Sequence, residues 1–419
     1  MPPSVPPPHT AAFVRLAWSN LAAQSAEQVA LAAAPLVAVL AFGAGTGATG
    51  LLQAAQTLPF LLLSIPAGLL ADRVASRSRM LAAAEAVRAV SLGFVLILTE
   101  LGLLTLPLLA ALGFVGAAGT VAYSVAAPAL VPSLVSHERL AAANGRIELA
   151  RTTAFAVGPA LGGVLVWWAG AGAAFGAATG LSVLAAFSLV GVRERVRPGG
   201  LAGARLVGQA RRRLMDEVRE GMAFVFRHPL LRPVFATQVV FNLSFFLLQA
   251  AYVPYAVHRL GLGALGVGLT LAAYGAGLVG GALVAARVIA AVPFGVAVGI
   301  GPLAGVAASL MMVLTLVLPW PLLAASAFVV MGAGPVVWVV STTTLRQAVT
   351  PGGLLGRVSA LNILAYGARP VGAALGAAVG EMYGPETCLV LAALGFLAQA
   401  AIIFGSPVPR LVRLPEGVG

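Results

Sequence analysis

The chain holds 13 acids and 25 bases in 419 residues, and the few that fall inside long apolar stretches are those able to do chemistry. Glu27 lies twelve residues beyond Arg15, about 18 Å further along a helix that rises ~1.5 Å per residue. Asn20, Gln24, Glu27 and Gln28 follow a four-then-three-or-four spacing, which gives that helix a polar face. A carboxylate at such depth is costly as an anion, which suits Glu27 to carrying a proton or meeting a substrate. The competing reading is a structural carboxylate neutralised by an arginine. Glu148 and Arg151 stand one helical turn apart and can pair, and Glu148 is a candidate to share the proton of Glu27. Glu85 and Arg88 have the same spacing. Arg369 has no acid within a turn, so it either holds a carboxylate on another helix or attracts an anionic substrate group. Gln238, Asn242 and Gln249 dot another apolar segment roughly on one face, with Tyr252 and Tyr255 further along. Sparse amides and aromatics in an apolar wall fit a lipophilic ligand. Hydrogen bonding between helices is the competing use. The single cysteine, Cys388, excludes an intramolecular disulfide and a Cys-based metal motif, and the 4 histidines lie far apart. No nucleotide-binding motif occurs. Neither a metal, a cofactor nor an enzymatic reaction is expected.

These side chains must be held by helices in lipid. No charged residue occurs between Glu27 and Asp72, between Arg151 and Arg193, or between Arg287 and Arg346. A bilayer core takes about 20 apolar residues per spanning helix, so each gap has room for two spans or most of them. Hydrophobic residues make up 60% of the chain and charged ones 9%, against about 25% charged in soluble domains. Twelve spans are expected: Leu16–Phe42, Ala48–Ala71, Met80–Thr99, Leu103–Val131, Asn144–Trp168, Ala171–Val192, Pro233–His258, Leu265–Arg287, Pro293–Leu318, Pro321–Gln347, Val358–Glu381 and Pro385–Phe404.

A net charge of +12 would suggest nucleic acid in a soluble protein, but here the arginines fall in alternate loops. With a cytoplasmic N-terminus, the inner loops carry Arg73, Arg77, Arg79, Arg139, the central run, Arg287, Arg346, Arg357, Arg410 and Arg413. The outer loops carry only Arg259, with Glu100, Glu381 and Glu386. That asymmetry puts both termini in the cytoplasm. All 25 bases are arginine, which reads as genomic base composition, not mechanism. The expected setting is a multi-pass protein of the cytoplasmic membrane. Its partners would be the lipid bilayer, protons and a small-molecule substrate, with no nucleic acid, and a monomer is expected. Met1 to Thr10 is proline-rich without a basic n-region, a disordered tail before an uncleaved first helix.

The expected organisation is a cytoplasmic N-terminal tail over 1–15, a six-helix bundle over 16–192, a cytoplasmic linker over 193–232, a second bundle over 233–406 and a cytoplasmic tail over 407–419. In the linker, Leu214, Val218, Met222 and Val225 recur at helical spacing, which predicts an amphipathic helix on the inner membrane surface. An internal repeat relates the halves. A shift of 218 residues lays Arg139, Asn144, Arg151, Gly158 and Gly162 on Arg357, Asn362, Arg369, Gly376 and Gly380. Charged and amide residues are scarce here, so three such matches at fixed spacing point to a parallel two-half plan.

Between the second and third spans stands Gly68-Leu69-Leu70-Ala71-Asp72-Arg73-Val74-Ala75-Ser76-Arg77. This resembles the signature loop of the major facilitator superfamily, G-x-x-x-D-R-x-G-x-R. In the fifth span Gly145, Ala154 and Gly158-Pro159-Ala160-Leu161-Gly162-Gly163 resemble the antiporter motif of its drug-exporting members. The segment Glu217–Arg232, with Arg227-His228-Pro229-Leu230-Leu231-Arg232, is similar to the drug:proton antiporter-3 branch, which includes macrolide-efflux and enterobactin-exporter relatives. Thr344-Leu345-Arg346-Gln347 followed by Gly356-Arg357-Val358 adds to the likeness. Ala75 and Ala154 replace family glycines, and the fourth span lacks the arginine that many proton-coupled exporters carry there.

The resemblance implies an all-α integral membrane protein of twelve transmembrane helices in two pseudo-symmetric six-helix bundles, the major facilitator fold. It implies a secondary active exporter of a small organic or amphipathic molecule, drug or siderophore-like metabolite, working by proton-coupled alternating access. An uncoupled or importing facilitator and a non-transporting sensor or assembly factor are the alternatives. Gly68, Asp72, Arg73 and Arg77 would form the gating loop, with Asp72 latching the outward-facing state. The matching loop of the second half has Ala286-Arg287 and no acid, so an asymmetric gate is expected. Glu85–Arg88 reads as structural, because the third span is peripheral in the family.

Overall fold

The computed structural model describes residues 8–74, 76–135, 140–192, 219–351, 354, 358 and 365–415. Backbone in lipid has no water to bond, so each apolar run closes its N–H and C=O groups into a helix. The spanning helices are α1 (Pro8–Phe42), α2 (Thr46–Arg73), α3 (Arg77–Glu100), α4 (Leu106–Leu134), then α5 and α6 as the two arms, 140–169 and 171–189, of the run Leu140–Leu189. They continue with α7 (Leu231–His258), α8 (Ala264–Ala291), α9 (Phe294–Leu314), α10 (Pro321–Val349), α11 (Ala368–Tyr383) and α12 (Pro385–Phe404). These are the twelve expected. The described part of the eleventh begins later than Val358, since residues 359–364 lie outside the described set. Among the described residues nine segments, counting α5 and α6 as one, are by themselves long and apolar enough to cross a bilayer.

Two glycines make the sharpest reversals. Gly170 (φ 82°) is the break between α5 and α6, and Gly384 (φ 83°) stands between α11 and α12. A side chain is strained at such angles, so glycine lets the chain turn within one residue. Each joins the fifth and sixth helix of its half.

The chain divides into two compact units, residues 1–37 with 55–205, and residues 38–54 with 206–419. In the first, α3 lies along α4 and α6. Phe13, Leu16, Leu81, Tyr123, Leu130 and Leu189 build its core toward the arginine-rich end. In the second, α7 packs on α11 and α12, and α10 packs on α8 and α9. This partition differs from the expected six-plus-six at one place. The end of α1 and the first turns of α2 go with the second unit, where Thr49 Oγ1 donates to the Ala250 carbonyl at 2.9 Å. A Cβ on Gly50 would lie 2.7 Å from the Ala377 backbone. The missing side chain at Gly50 is what permits that approach.

The repeat-related Gly158 and Gly376 serve equivalent contacts in the two units. Gly158 lies against Gln28, and a Cβ on Gly162 would be 3.0 Å from the Val29 carbonyl oxygen, so both seat α5 on α1. A Cβ on Gly376 would be 2.8 Å from Ala250 Cβ and 3.0 Å from the Leu247 oxygen, seating α11 on α7. Small residues allow two helix backbones to approach closely. Thus α5 is to α1 as α11 is to α7.

Of the linker, residues 219–227 are helical; Leu214 and Val218 lie outside the described residues. Val225 is buried in a cluster with Leu231, Phe294, Trp338, Leu345 and Val408, and Met222 packs against it. This stretch therefore docks on the second unit through its apolar face, and Phe226 remains exposed. The start of the expected C-terminal tail is also docked. The N–H groups of Phe294 and Gly295 donate to the carbonyls of Val412 and Leu411 at 3.2 and 2.7 Å. Those are first-turn amides of α9 with no partner inside the helix, which is why the tail pairs there.

Candidate functional site

The polar centre of the first unit is a pair read as peripheral from sequence. Glu85 is wholly buried and Arg88 nearly so, at 4% exposure. Arg88 Nη2 donates to Glu85 Oε2 at 2.5 Å and to the Ala23 carbonyl of α1 at 2.7 Å. Its Nε donates to Ser182 Oγ of α6 at 3.1 Å, and its Nη1 to Thr120 Oγ1 of α4 at 3.0 Å. One guanidinium therefore ties α1, α3, α4 and α6 together. Gly119 of α4 lets the α3 backbone come close, since a Cβ there would sit 2.5 Å from the Ala84 carbonyl oxygen. Ser182 is close enough to act on the Glu85 carboxylate, yet Oε1 has no partner of hydrogen-bond geometry among the described residues. Glu27 is half-buried and near enough for its charge to act on Glu85.

The polar face of α1 is split between neighbours. Ser19, Ala23 and Glu27 are spaced by four and so share a face. Ser19 Oγ donates to the Ala185 carbonyl of α6 at 3.0 Å and lies 3.1 Å from Tyr123 Oη of α4. Asn20 turns to α5 instead, donating from Nδ2 to the Ile147 carbonyl at 3.2 Å, and Gln28 meets Gly158 there. Gln24 is half-buried.

Glu148 and Arg151 do pair, Nε to Oε2 at 3.0 Å and Nη2 to Oε1 at 2.5 Å. Both are well exposed, with 58% and 45% of their side chains accessible. The Arg151 guanidinium also lies 5.4 Å from the centre of the Phe155 ring.

In the second unit Arg369 donates from Nε to Asn242 Oδ1 at 3.1 Å, while Asn242 Nδ2 donates to the Gln238 carbonyl at 2.9 Å. The guanidinium covers the Tyr366 ring at 4.0 Å and the Phe246 ring at 5.4 Å, a geometry that favours a cation. Gln238 and Gln249 are half-buried. Tyr252 and Tyr255 do not belong to a ligand wall. Both are buried, with their hydroxyls bonded to Thr270 at 2.5 Å and Thr315 at 2.8 Å, the interhelical use that competed with ligand binding.

Of the signature loop, Gly68 lies in α2 with a Cβ position 3.7 Å from Val125 of α4. Arg77 Nε donates to the Ala71 carbonyl at 3.2 Å, bracing the turn. The side chains of Asp72 and Arg73 lie outside the described set, as do Arg139, Arg357 and Asn362. Gly145, Gly158, Pro159, Gly162 and Gly163 all fall within α5. Among the described residues no three His, Cys, Asp or Glu side chains gather. Sequence reasoning missed Thr120, Ser182, Ser19 and Tyr123. Their signal was available in the isolation of single hydroxyls within apolar spans.

A family model described as transmembrane secretion effector matches residues 7–414. The chain belongs to that family, within the major facilitator superfamily. Solved structures of the same fold include a bacterial homolog of the human lysosomal transporter Spinster, with TM-score 0.69 at 15% identity over 98% of both chains. A mutant of the peptide transporter POT matches with TM-score 0.73 at 13% identity, covering 96% of this chain and 95% of that one. A bacterial homologue of the iron transporter ferroportin matches with TM-score 0.69 at 14% identity over 93% and 98%. No curated sequence matches significantly. This protein is thus a multi-pass membrane transporter of the major facilitator type.

Proposed function

We propose that this transporter is a proton-coupled exporter of small organic or amphipathic molecules in the cytoplasmic membrane, with Glu27 as the proton-carrying group. The observation that carries the reading is the arrangement in the first unit. A half-buried carboxylate, Glu27, is near enough for its charge to act on a buried ion pair, Glu85–Arg88, whose Oε1 has no partner of hydrogen-bond geometry among the described residues. A proton can drive alternating access only by binding the two conformations unequally. Support for Glu27 in that role is its position one turn beyond Ala23, whose carbonyl accepts from Arg88 of α3. Glu148, already paired with Arg151 and exposed, has the lesser part.

Outward direction is favoured by the family's description as a secretion effector and by the antiporter-type glycines of α5. Under the orientation set by the arginines, both termini are cytoplasmic. Asp72, with Gly68, Arg73 and Arg77, is assigned the latch between states. Arg369, held over two aromatic rings beside Asn242, is assigned the polar end of the substrate site with Gln238 and Gln249. The fourth span's lack of an arginine is the observation that favours the uncoupled alternative.

The test is uptake of the lipophilic dye Hoechst 33342 into inverted membrane vesicles with an acid interior. The proposal expects dye accumulation that collapses when the gradient is dissipated. Accumulation indifferent to the gradient, or accumulation in right-side-out vesicles instead, refutes coupling or direction respectively.

A further inference from the structure

The Arg227-His228-Pro229-Leu230-Leu231-Arg232 motif before α7 has no task in the polar network or in the transport cycle proposed above. It borders a cleft of about 530 Å³, walled by Arg227, His228 and Arg232 on one side and by Ile402, Gly405 and Ser406 on the other. Most polar atoms there are already engaged. Ser406 Oγ donates to the Ile403 carbonyl at 2.6 Å and accepts the Val408 N–H at 3.2 Å. His228 Nδ1 accepts the N–H groups of Leu230 and Leu231 at 3.2 and 3.4 Å, and its carbonyl takes that of Arg232 at 3.1 Å. Those contacts occupy the first amides of α7, so the helix end offers no anion seat. They also require the ring to carry its proton on Nε2. The charge of the cleft comes from two exposed guanidiniums, and no carboxylate lines it among the described residues.

The other half of the argument is apolar. On α12, Val390, Leu394, Leu397, Ala401 and Phe404 are all exposed, and their spacing of three or four puts them on one stripe. On a spanning helix such a stripe faces acyl chains, and this one runs up to the cleft at Gly405. An apolar track that ends between two arginines fits a molecule with a long tail and an anionic head.

We propose that this cleft binds the phosphate headgroup of an anionic phospholipid, whose acyl chain lies along the α12 stripe. Paired guanidiniums match phosphate oxygens by charge and by forked geometry. Under the orientation set by the arginines, the lipid belongs to the cytoplasmic leaflet, where anionic headgroups draw basic residues. Bound there, it joins the linker helix, anchored by Val225, to the end of α12. The site is independent of which substrate is carried.

The test uses the full-length protein purified in mild detergent and titrated with phosphatidylglycerol or phosphatidylcholine, with bound lipid counted by native mass spectrometry. Wild type is expected to prefer phosphatidylglycerol. Each of Arg227→Gln and Arg232→Gln should weaken it about five-fold, and the pair about thirty-fold, at the usual increment per basic residue near a membrane. Arg410→Gln with Arg413→Gln removes two charges from the same end outside the cleft and should leave the preference intact. Equal loss in that control, or undiminished preference in the Arg227/Arg232 double variant, overturns the site. Full displacement of the lipid by inorganic phosphate would reassign the cleft to a soluble anion and overturn the lipid assignment. Should the double variant fail to fold, Ile402→Trp fills the cleft without changing charge, and unchanged binding there is equally fatal.

Discussion

Replacing Arg88 by methionine removes the guanidinium and leaves its four partners behind. Three of them lose little. The Thr120 hydroxyl also reaches the Gly116 carbonyl at 3.4 Å, Ser182 can turn to its own helix, and the Ala23 oxygen is a helix carbonyl. Interhelical hydrogen bonds of this kind average about 0.6 kcal/mol in membrane proteins. The fourth partner decides the outcome. Glu85 is wholly buried and its Oε1 has no partner of hydrogen-bond geometry among the described residues, so without Arg88 an anion is stranded in a dry core. Breaking a buried pair from one side costs about 3–5 kcal/mol, which outweighs the neutral bonds. Arg88→Met should therefore destabilise the protein by about that amount, read from unfolding in mixed dodecylmaltoside–SDS micelles. Adding Glu85→Met removes the stranded charge and should return stability to within about 1 kcal/mol of wild type. A single variant costing less than about 1 kcal/mol, or a double variant that stays as unstable as the single, would show that Glu85 is not a charge held by Arg88.

The repeat-related glycines predict matched effects: Gly158→Val pushes a side chain against Gln28 and Gly376→Val against Ala250, and each should cost about 1–3 kcal/mol by overpacking. Full stability in either variant on the same unfolding assay would contradict the α5–α1 and α11–α7 seats. His228 lies outside the spans, and burial holds its imidazole below the ordinary 6.5. The unfolded chain therefore takes up a proton that the native ring resists, so the stability present above pH 6.5 is lost progressively as pH falls below it. Protonation also removes the Nδ1 acceptor, so amide exchange at Leu230 and Leu231, corrected for intrinsic rates, should quicken below that pH. Constant protection across it would contradict the cap.

Much of the fold was legible because charge-free runs in lipid have one backbone solution. The break at Gly170 was visible as a small-residue gap after Trp168, and the Arg/Asn/Gly repeat anticipated that α5 and α11 seat alike. The site was less legible. Glu85 and Arg88 advertise only their i,i+3 spacing. That Thr120 and Ser182 meet them depends on packing between helices dozens of residues apart, which no local pattern encodes. Glu148 and Arg151 show the reverse: an identical spacing yields an exposed pair, since spacing reports which side chains can meet and not what covers them. For Tyr252 and Tyr255 the sequence leaves ligand contact and interhelical bonding open, and only the packing of Thr270 and Thr315 opposite them decides for bonding.

The claim on which the mechanism stands is that Glu27 takes and yields a proton as substrate binds. Purified protein in weakly buffered detergent, mixed with Hoechst 33342 beside a pH indicator, reports that exchange directly. Wild type should release a proton on binding the dye, and Glu27→Gln should bind dye and release none, with Glu148→Gln behaving as wild type. Equal proton release from Glu27→Gln and wild type would contradict the account.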